Sequence, residues 1–229
     1  KLDEGWKTYW RSAGEGGFPQ EVNWEFSTNV NKLEILWPTP EYFNILGFTS
    51  VGYINAVVFP LVIEIKDITK KTTIDLDINY LSCKDICIPG KANLVLIIPP
   101  GSGKVTEHYF TIQKALSSIP KLNLKYAGLK NFSVKAFEEK NNISITVYAE
   151  SKNIIQKPKL FLDSEFGLPV VNPKILYSPN SKKINAKFDF DKKNISKSNF
   201  VLNIVYKDQN NIFEYISNVN VENFSKISI

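Results

Sequence analysis

Residues 73–98 read TIDLDINYLSCKDICIPGKANLVLII, and how this stretch folds decides the fold of the chain. From Thr73 to Leu81 the residues alternate: Ile74, Leu76, Ile78 and Tyr80 fall on one face, Asp75, Asp77 and Asn79 on the other. Period-2 alternation of this kind marks a half-buried β-strand. Ala92–Ile98 (ANLVLII) reads as a second strand, and the segment between them becomes a hairpin tip with Lys84, Asp85 and Ile86 in the turn. The same style recurs in NISITVYAE, KINAKFDF and NFVLNIVYK, rich in β-branched and aromatic residues and punctuated by Gly, Pro and Asn. Short strands at this spacing predict an all-β protein of sandwich type rather than an α/β sheet.

One segment departs from the pattern. TEHYFTIQKALSSI, residues 106–119, carries Phe110, Ala115, Leu116 and Ile119 at helical spacing, and Pro120 stops it. It follows the turn-rich PPGSGK, so the reading is a loop, a short helix and then a new domain. The boundary is expected near residues 112–122, giving a domain over 1–112 and a second β-sandwich over 113–229. Each has an ordinary domain size.

Composition narrows the function. The 229 residues are 43% hydrophobic and 13% aromatic, which fits a globular protein. The formal net charge is +5, but Arg11 is the only arginine and the lysines are interspersed with Asp and Glu. Base readout and bidentate phosphate grips favour arginine, so nucleic acid is rejected as a partner. The chain opens KLDEGWKTYW with no apolar stretch behind the charge. Its most apolar run, INAVVFPLVIEI, contains Pro60 and is far shorter than the roughly 20 residues of a spanning helix. The expectation is a chain soluble as it stands, with any membrane part outside it. PPGSGKV fails as a phosphate loop, with Ile98 where glycine is needed and Val105 where Ser or Thr belongs. His108 is the only histidine, so a histidine metal site or a Ser-His-Asp triad has little to work with.

The chemistry therefore rests on Cys83 and Cys87, the only two cysteines. Opposed across the neck of the hairpin, they sit close enough for a disulfide. As a staple it is weak, since closing so short a loop is worth only about 2 kcal/mol. Exposed, strained disulfides are the labile ones, so the spacing favours a couple that opens and closes. An inert clip remains the second reading. A metal site is the third: two thiolates make half of a zinc site, and copper(I) accepts two soft ligands.

Four blocks in order extend this reading: GWKTYWRSAGEGGFPQEVNW at 5–24, LEILWPTPEYF at 33–43, GYINAVVFPL at 52–61, and YLSCKDICIP at 80–89. Together, over about residues 4–100, they resemble the N-terminal periplasmic domain of the DsbD family of thiol:disulfide interchange proteins. The likeness is greatest to its ScsB-like branch, associated with suppression of copper sensitivity.

The resemblance implies an immunoglobulin-like domain, and by extension two immunoglobulin-like β-sandwiches joined by the short helix. It also implies a redox role in the periplasm with no cofactor. Family members are inner-membrane reductases, and a thioredoxin-like domain of the same parent protein passes electrons to this domain. It in turn reduces thioredoxin-like periplasmic partners, such as a disulfide isomerase or a cytochrome-maturation thioredoxin. Cys83 and Cys87 match the family's active pair, with Cys87 forming the mixed disulfide and Cys83 resolving it. Tyr42–Phe48 matches an aromatic cap loop, offering Phe43 and Phe48, while Trp6 and Tyr9 match the aromatic block beside the active site. Lys84 is the positive charge expected next to the pair.

Two departures stand out: the best-known members have a wider cysteine spacing and one immunoglobulin-like domain here, and this chain lacks the membrane and thioredoxin-like domains. The cysteine-free second half reads as a spacer or docking module. The rival functions are a binding module with an inert disulfide and a copper(I) carrier.

Overall fold

In the computed structural model, which describes residues 1–14, 16–122, 128–209 and 211–223, the chain divides into two compact units, Lys1–Ile119 and Pro120–Ile229. The division falls at Pro120, and the helix lies wholly in the first unit.

The first unit contains β1 (Lys7–Tyr9), β2 (Glu21–Asn23), β3 (Val30–Ile35), β4 (Glu41–Ile45), β5 (Phe48–Ile54), β6 (Leu61–Ile65), β7 (Thr72–Cys83), β8 (Cys87–Ile98) and helix α1 (Tyr109–Leu116). β7 organises it. One edge of β7 pairs along its whole length with β8, from Thr72↔Ile98 to Cys83↔Cys87. The other edge is shared: β2 takes Asp77–Asn79, and β1 takes Ser82 and Cys83 before leading on to β5 and β4. β3 and β6 form a separate two-stranded sheet. The alternation of β7 now has its cause. Ile74 and Leu76 are buried with Val30 and pack against Leu33, Leu61 and Ile63 of the small sheet, while Asp77 and Asn79 face solvent. Two sheets closing on one apolar layer make a β-sandwich.

β8 extends further than the seven-residue run first read, because its ladder continues to Cys87. α1 forms within the segment expected to be helical, but Phe110 is 81% exposed, and the half-buried positions are Ala115 and Leu116. The helix is held through its C-terminal end, where the Ser118 carbonyl accepts from the amide and the hydroxyl of Thr39, and Phe110 sits at the opposite end.

The second unit contains β9 (Leu129–Glu139), β10 (Asn142–Ser151), β11 (Lys159–Ser164), β12 (Lys174–Tyr177), β13 (Lys183–Asp191), β14 (Asn199–Lys207) and β15 (Ile212–Glu222). Their order is β11-β14-β15-β9-β10-β13-β12. Among the described residues an isolated parallel bridge joins Lys121 to Phe213, and the ladders between these strands are antiparallel except the short parallel contact of Val221 and Glu222 in β15 with Ala136 and Phe137 in β9. That contact joins two layers, and one core fills the space between them. Ile143, Ile145, Phe188 and Phe190 meet Leu160, Leu202, Ile204 and Phe213, all essentially inaccessible to water. Fully burying each such side chain is worth about 1.5–3 kcal/mol, so this unit has a core sufficient for its size.

Candidate active site

Cys83 and Cys87 form a disulfide, with Cα atoms 4.1 Å apart. They are a directly opposed pair at the end of the β7–β8 ladder, and the exposed residues Lys84, Asp85 and Ile86 form the turn between them. The ladder alone brings the sulfurs together, as the hairpin reading expects. The two are not equivalent. Cys83 has no exposed surface and lies between β8 and β1, where Lys7 is its partner in register. Cys87, on the outer strand, is half-buried.

Tyr9 is a polar neighbour of both sulfurs. β1 carries it, fully buried, beneath the hairpin end, where its hydroxyl donates to the Gly16 carbonyl at 2.8 Å and lies 3.0 Å from Cys83 Sγ. Cys87 Sγ is farther, at 3.9 Å. A phenol has one proton, so carbonyl and sulfur share a single donor. Burial raises the Tyr9 pKa above its ordinary value, which keeps the hydroxyl protonated and able to donate.

Apolar side chains complete the pocket. Phe43, Ile45, Ala13 and Leu81 are buried around Cys83, and Cys87 packs against the same group. The Phe43 ring lies 5.7 Å from that of Tyr9 at a 54° tilt. Phe43 and Ile45 reach inward because they alternate along β4, which turns into β5 through Leu46 and Gly47. Both turn residues have positive φ, 49° and 87°, as a two-residue hairpin of the primed type requires. Leu46 and Phe48 are exposed at the tip. Phe48 touches the site indirectly, since a Cβ built on Gly16 would lie 3.4 Å from the Phe48 Cβ.

Of the four aromatic candidates, then, Tyr9 and Phe43 stand at the disulfide and Phe48 on its rim. Trp6 sits just before β1, half-buried, its amide bonded to Asp3 and its carbonyl to Asn55, and it is not in the cluster around Cys83. Two ammonium groups flank the hairpin rather than one: Lys84 Nζ donates to the Glu4 carbonyl at 3.2 Å, and Lys7 Nζ to the Gly5 carbonyl at 3.0 Å. The readings from sequence missed Gly16 and Gly17. The Tyr9 ring lies flat against Gly17, where any Cβ would collide with it. The adjacent glycines in GEGGFP were the available signal.

Residues 1–99 match the family described as thiol:disulfide interchange protein DsbD, N-terminal. That stretch belongs to the DsbD N-terminal family. The match takes in every strand of the first unit and both cysteines, and it gives the sandwich its immunoglobulin-like class. The fold likeness runs on through the second unit. The N-terminal periplasmic domain of ScsB from Proteus mirabilis superposes with a TM-score of 0.76 at 21% identity, covering 96% of this chain and 85% of that one. No curated protein sequence matches the chain. Among the described residues no group of three or more His, Cys, Asp or Glu side chains is arranged to hold a metal, and no helix is long and apolar enough to cross a membrane.

Proposed function

We propose that this DsbD-type domain is a periplasmic protein-disulfide reductase module working through the Cys83–Cys87 pair. It takes electrons from a thioredoxin-like relay of its parent protein and gives them to thioredoxin-like partners. One observation carries the reading: the disulfide is asymmetric, with Cys83 fully buried beside the Tyr9 hydroxyl and Cys87 partly accessible.

The asymmetry sets the direction of attack. An incoming thiolate reaches Cys87 Sγ, forms a mixed disulfide with it, and breaks the bond to Cys83. Cys83 leaves with the electron pair as a thiolate. A thiolate is a far better acceptor than a disulfide sulfur, so the Tyr9 proton turns towards it and stabilises the leaving group. The donor's second thiolate then attacks its own sulfur in the mixed disulfide and frees Cys87. Two electrons have entered the domain and the donor leaves oxidised. Reduction of a partner runs the same steps backwards: Cys87 attacks the partner's disulfide, and Cys83 resolves the mixed disulfide.

Phe43 and Phe48 act as a gate in this reading. Phe43 covers the sulfurs, and the β4–β5 hairpin that bears both rings has an exposed tip for a docking partner to displace. The cysteine-free second unit serves as a spacer or docking module. The family of residues 1–99 and the periplasmic origin of the ScsB domain support the assignment to the periplasm.

The test is the reduction potential of the pair in defined thiol buffers, together with trapping on single-cysteine variants. A potential of roughly −180 to −270 mV, the range of exchange proteins, is expected. Cys83→Ser should accumulate a mixed disulfide with a thioredoxin-like partner, and Cys87→Ser should not. A potential below about −300 mV would leave an inert clip on a binding module.

A further inference from the structure

We propose that β8 is a self-association edge, and that two copies of this chain pair antiparallel through it over residues 93–97. The proposal is independent of the redox reading.

The hydrogen bonds of β7 fix which groups β8 leaves free. The Thr73 amide and carbonyl bond Thr28, those of Asp75 bond the Ser27 hydroxyl, and the Leu81 carbonyl accepts from Thr8. The odd-numbered residues of β7 therefore point away from β8, and the even-numbered ones point towards it. In the antiparallel register the partners of those even residues are Ile88, Gly90, Ala92, Leu94, Leu96 and Ile98. The amides and carbonyls of Lys91, Asn93, Val95 and Ile97 thus face outward, and among the described residues β8 has no second strand neighbour.

Natural sheets guard such edges with proline, lysine or a bulge. Here the guards stand only at the cysteine end, where Pro89 supplies no outward N–H and Lys91 supplies charge. The distal half has neither. Leu94, Val95, Leu96 and Ile97 are each between 56% and 58% exposed. Leu94 and Leu96 lie on the core side, in register with Leu76 and Ile74, yet stay more than half exposed. Asn93, by contrast, has its side chain tied to Asp75 and Asp77. An unguarded apolar edge of this length is a template for another strand.

A second copy suits it better than a charged segment. With a two-fold axis through Val95, Leu94 of each copy opposes Leu96 of the other, the two Val95 residues meet, and Asn93 opposes Ile97. Lys91, the one charge on the strand, lies opposite Pro99 at the ladder's end, so no like charges face each other. A contact of five residues per strand is small beside the roughly 800 Å² per partner of a stable interface, so the expected dimer dissociates on dilution. Val95 is about 27 Å along the strand from Cys87, and the antiparallel arrangement sends the two disulfides to opposite ends, clear of the contact.

Sedimentation of the whole chain over a concentration series tests this, combined with amide exchange. We expect the mass to fall from dimer to monomer on dilution, with slow exchange at Asn93, Val95 and Ile97 only when concentrated. Val95→Lys should be monomeric at every concentration, with an unchanged circular dichroism spectrum and a disulfide that is still reducible. A monomer at the highest soluble concentration would overturn the proposal. So would a dimer that Val95→Lys leaves intact, or outward amides protected in the monomer, which would put a segment of the same chain on the edge. The exchange measurement on the unmodified chain decides even if the variant fails to fold.

Discussion

The Tyr9 hydroxyl lies 3.0 Å from Cys83 Sγ and 3.9 Å from Cys87 Sγ, on a side chain with no exposed surface. One proton donor thus favours one sulfur of a symmetric bond, and with the unequal burial of the two cysteines it supports the proposal that Cys83 is the leaving group.

Tyr9→Phe keeps the ring against Gly17 and removes only the donor. A hydrogen bond to a charged group is worth about 1.5–3 kcal/mol, so reduction of the disulfide by dithiothreitol should slow by on the order of tenfold or more. The stopped-flow rate at fixed thiolate concentration reads this, with the thermal midpoint as a control. An unchanged rate would remove Tyr9 from the mechanism.

Phe43→Ala should act in two ways at once. Truncating a buried phenylalanine costs about 3–5 kcal/mol, so the unfolding midpoint of the first unit should fall. At the same time the sulfurs lose their cover, and glutathione should reduce the pair faster. Phe43→Leu should recover most of the stability and only part of the shielding. A gate is distinguished from simple core by whether the rate with a small thiol rises.

Phe188→Ala removes a ring from the middle of the second core. The expected loss is about 3–5 kcal/mol, confined to the unfolding transition of that unit. The reduction potential of Cys83–Cys87 should stay where it is, because the buried cluster packed around the pair, Tyr9, Ala13, Phe43, Ile45 and Leu81, belongs to the first unit. Calorimetry and thiol titration on the same variant check both statements.

Asp67 supplies the pH dependence. The Thr69 hydroxyl and amide bond its carboxylate, with Lys70 beside it, and they hold its pKa below the usual carboxylate value. A folded pKa below the unfolded one gives stability that is present above the unfolded value of about 3.9 and lost as pH falls through the folded one. The difference between the natural chain and Asp67→Asn should therefore be measurable at neutral pH and vanish in acid. Urea midpoints across the acid range read it.

The hairpin was legible because β7 is wet on one face and dry on the other, which writes an alternation into its residues. β8 was legible only in part, since an edge strand exposed on both faces has no such pattern to write. The helix could be placed, but not which way it faced, because the contact from Thr39 that holds it is distant in sequence. Phe43 and Tyr9 came from the family resemblance, and Trp6 came with them although it stands outside the cluster. Gly17 matters through the Tyr9 ring laid on it and Gly16 through the carbonyl that accepts from the Tyr9 hydroxyl, tertiary contacts that no local spacing encodes. The parallel contact of β15 with β9, which closes the second sandwich, joins residues at opposite ends of that unit and was unreadable for the same reason.

Cys83 and Cys87 oppose each other in a ladder that continues without interruption to Thr72 and Ile98. The strands therefore hold the two residues in place whether or not a bond joins their sulfurs. Opening the bond frees no loop, exposes no new core and requires no refolding on return. The backbone can stay the same in both redox states, so a docked partner meets the same surface before and after the electrons have moved.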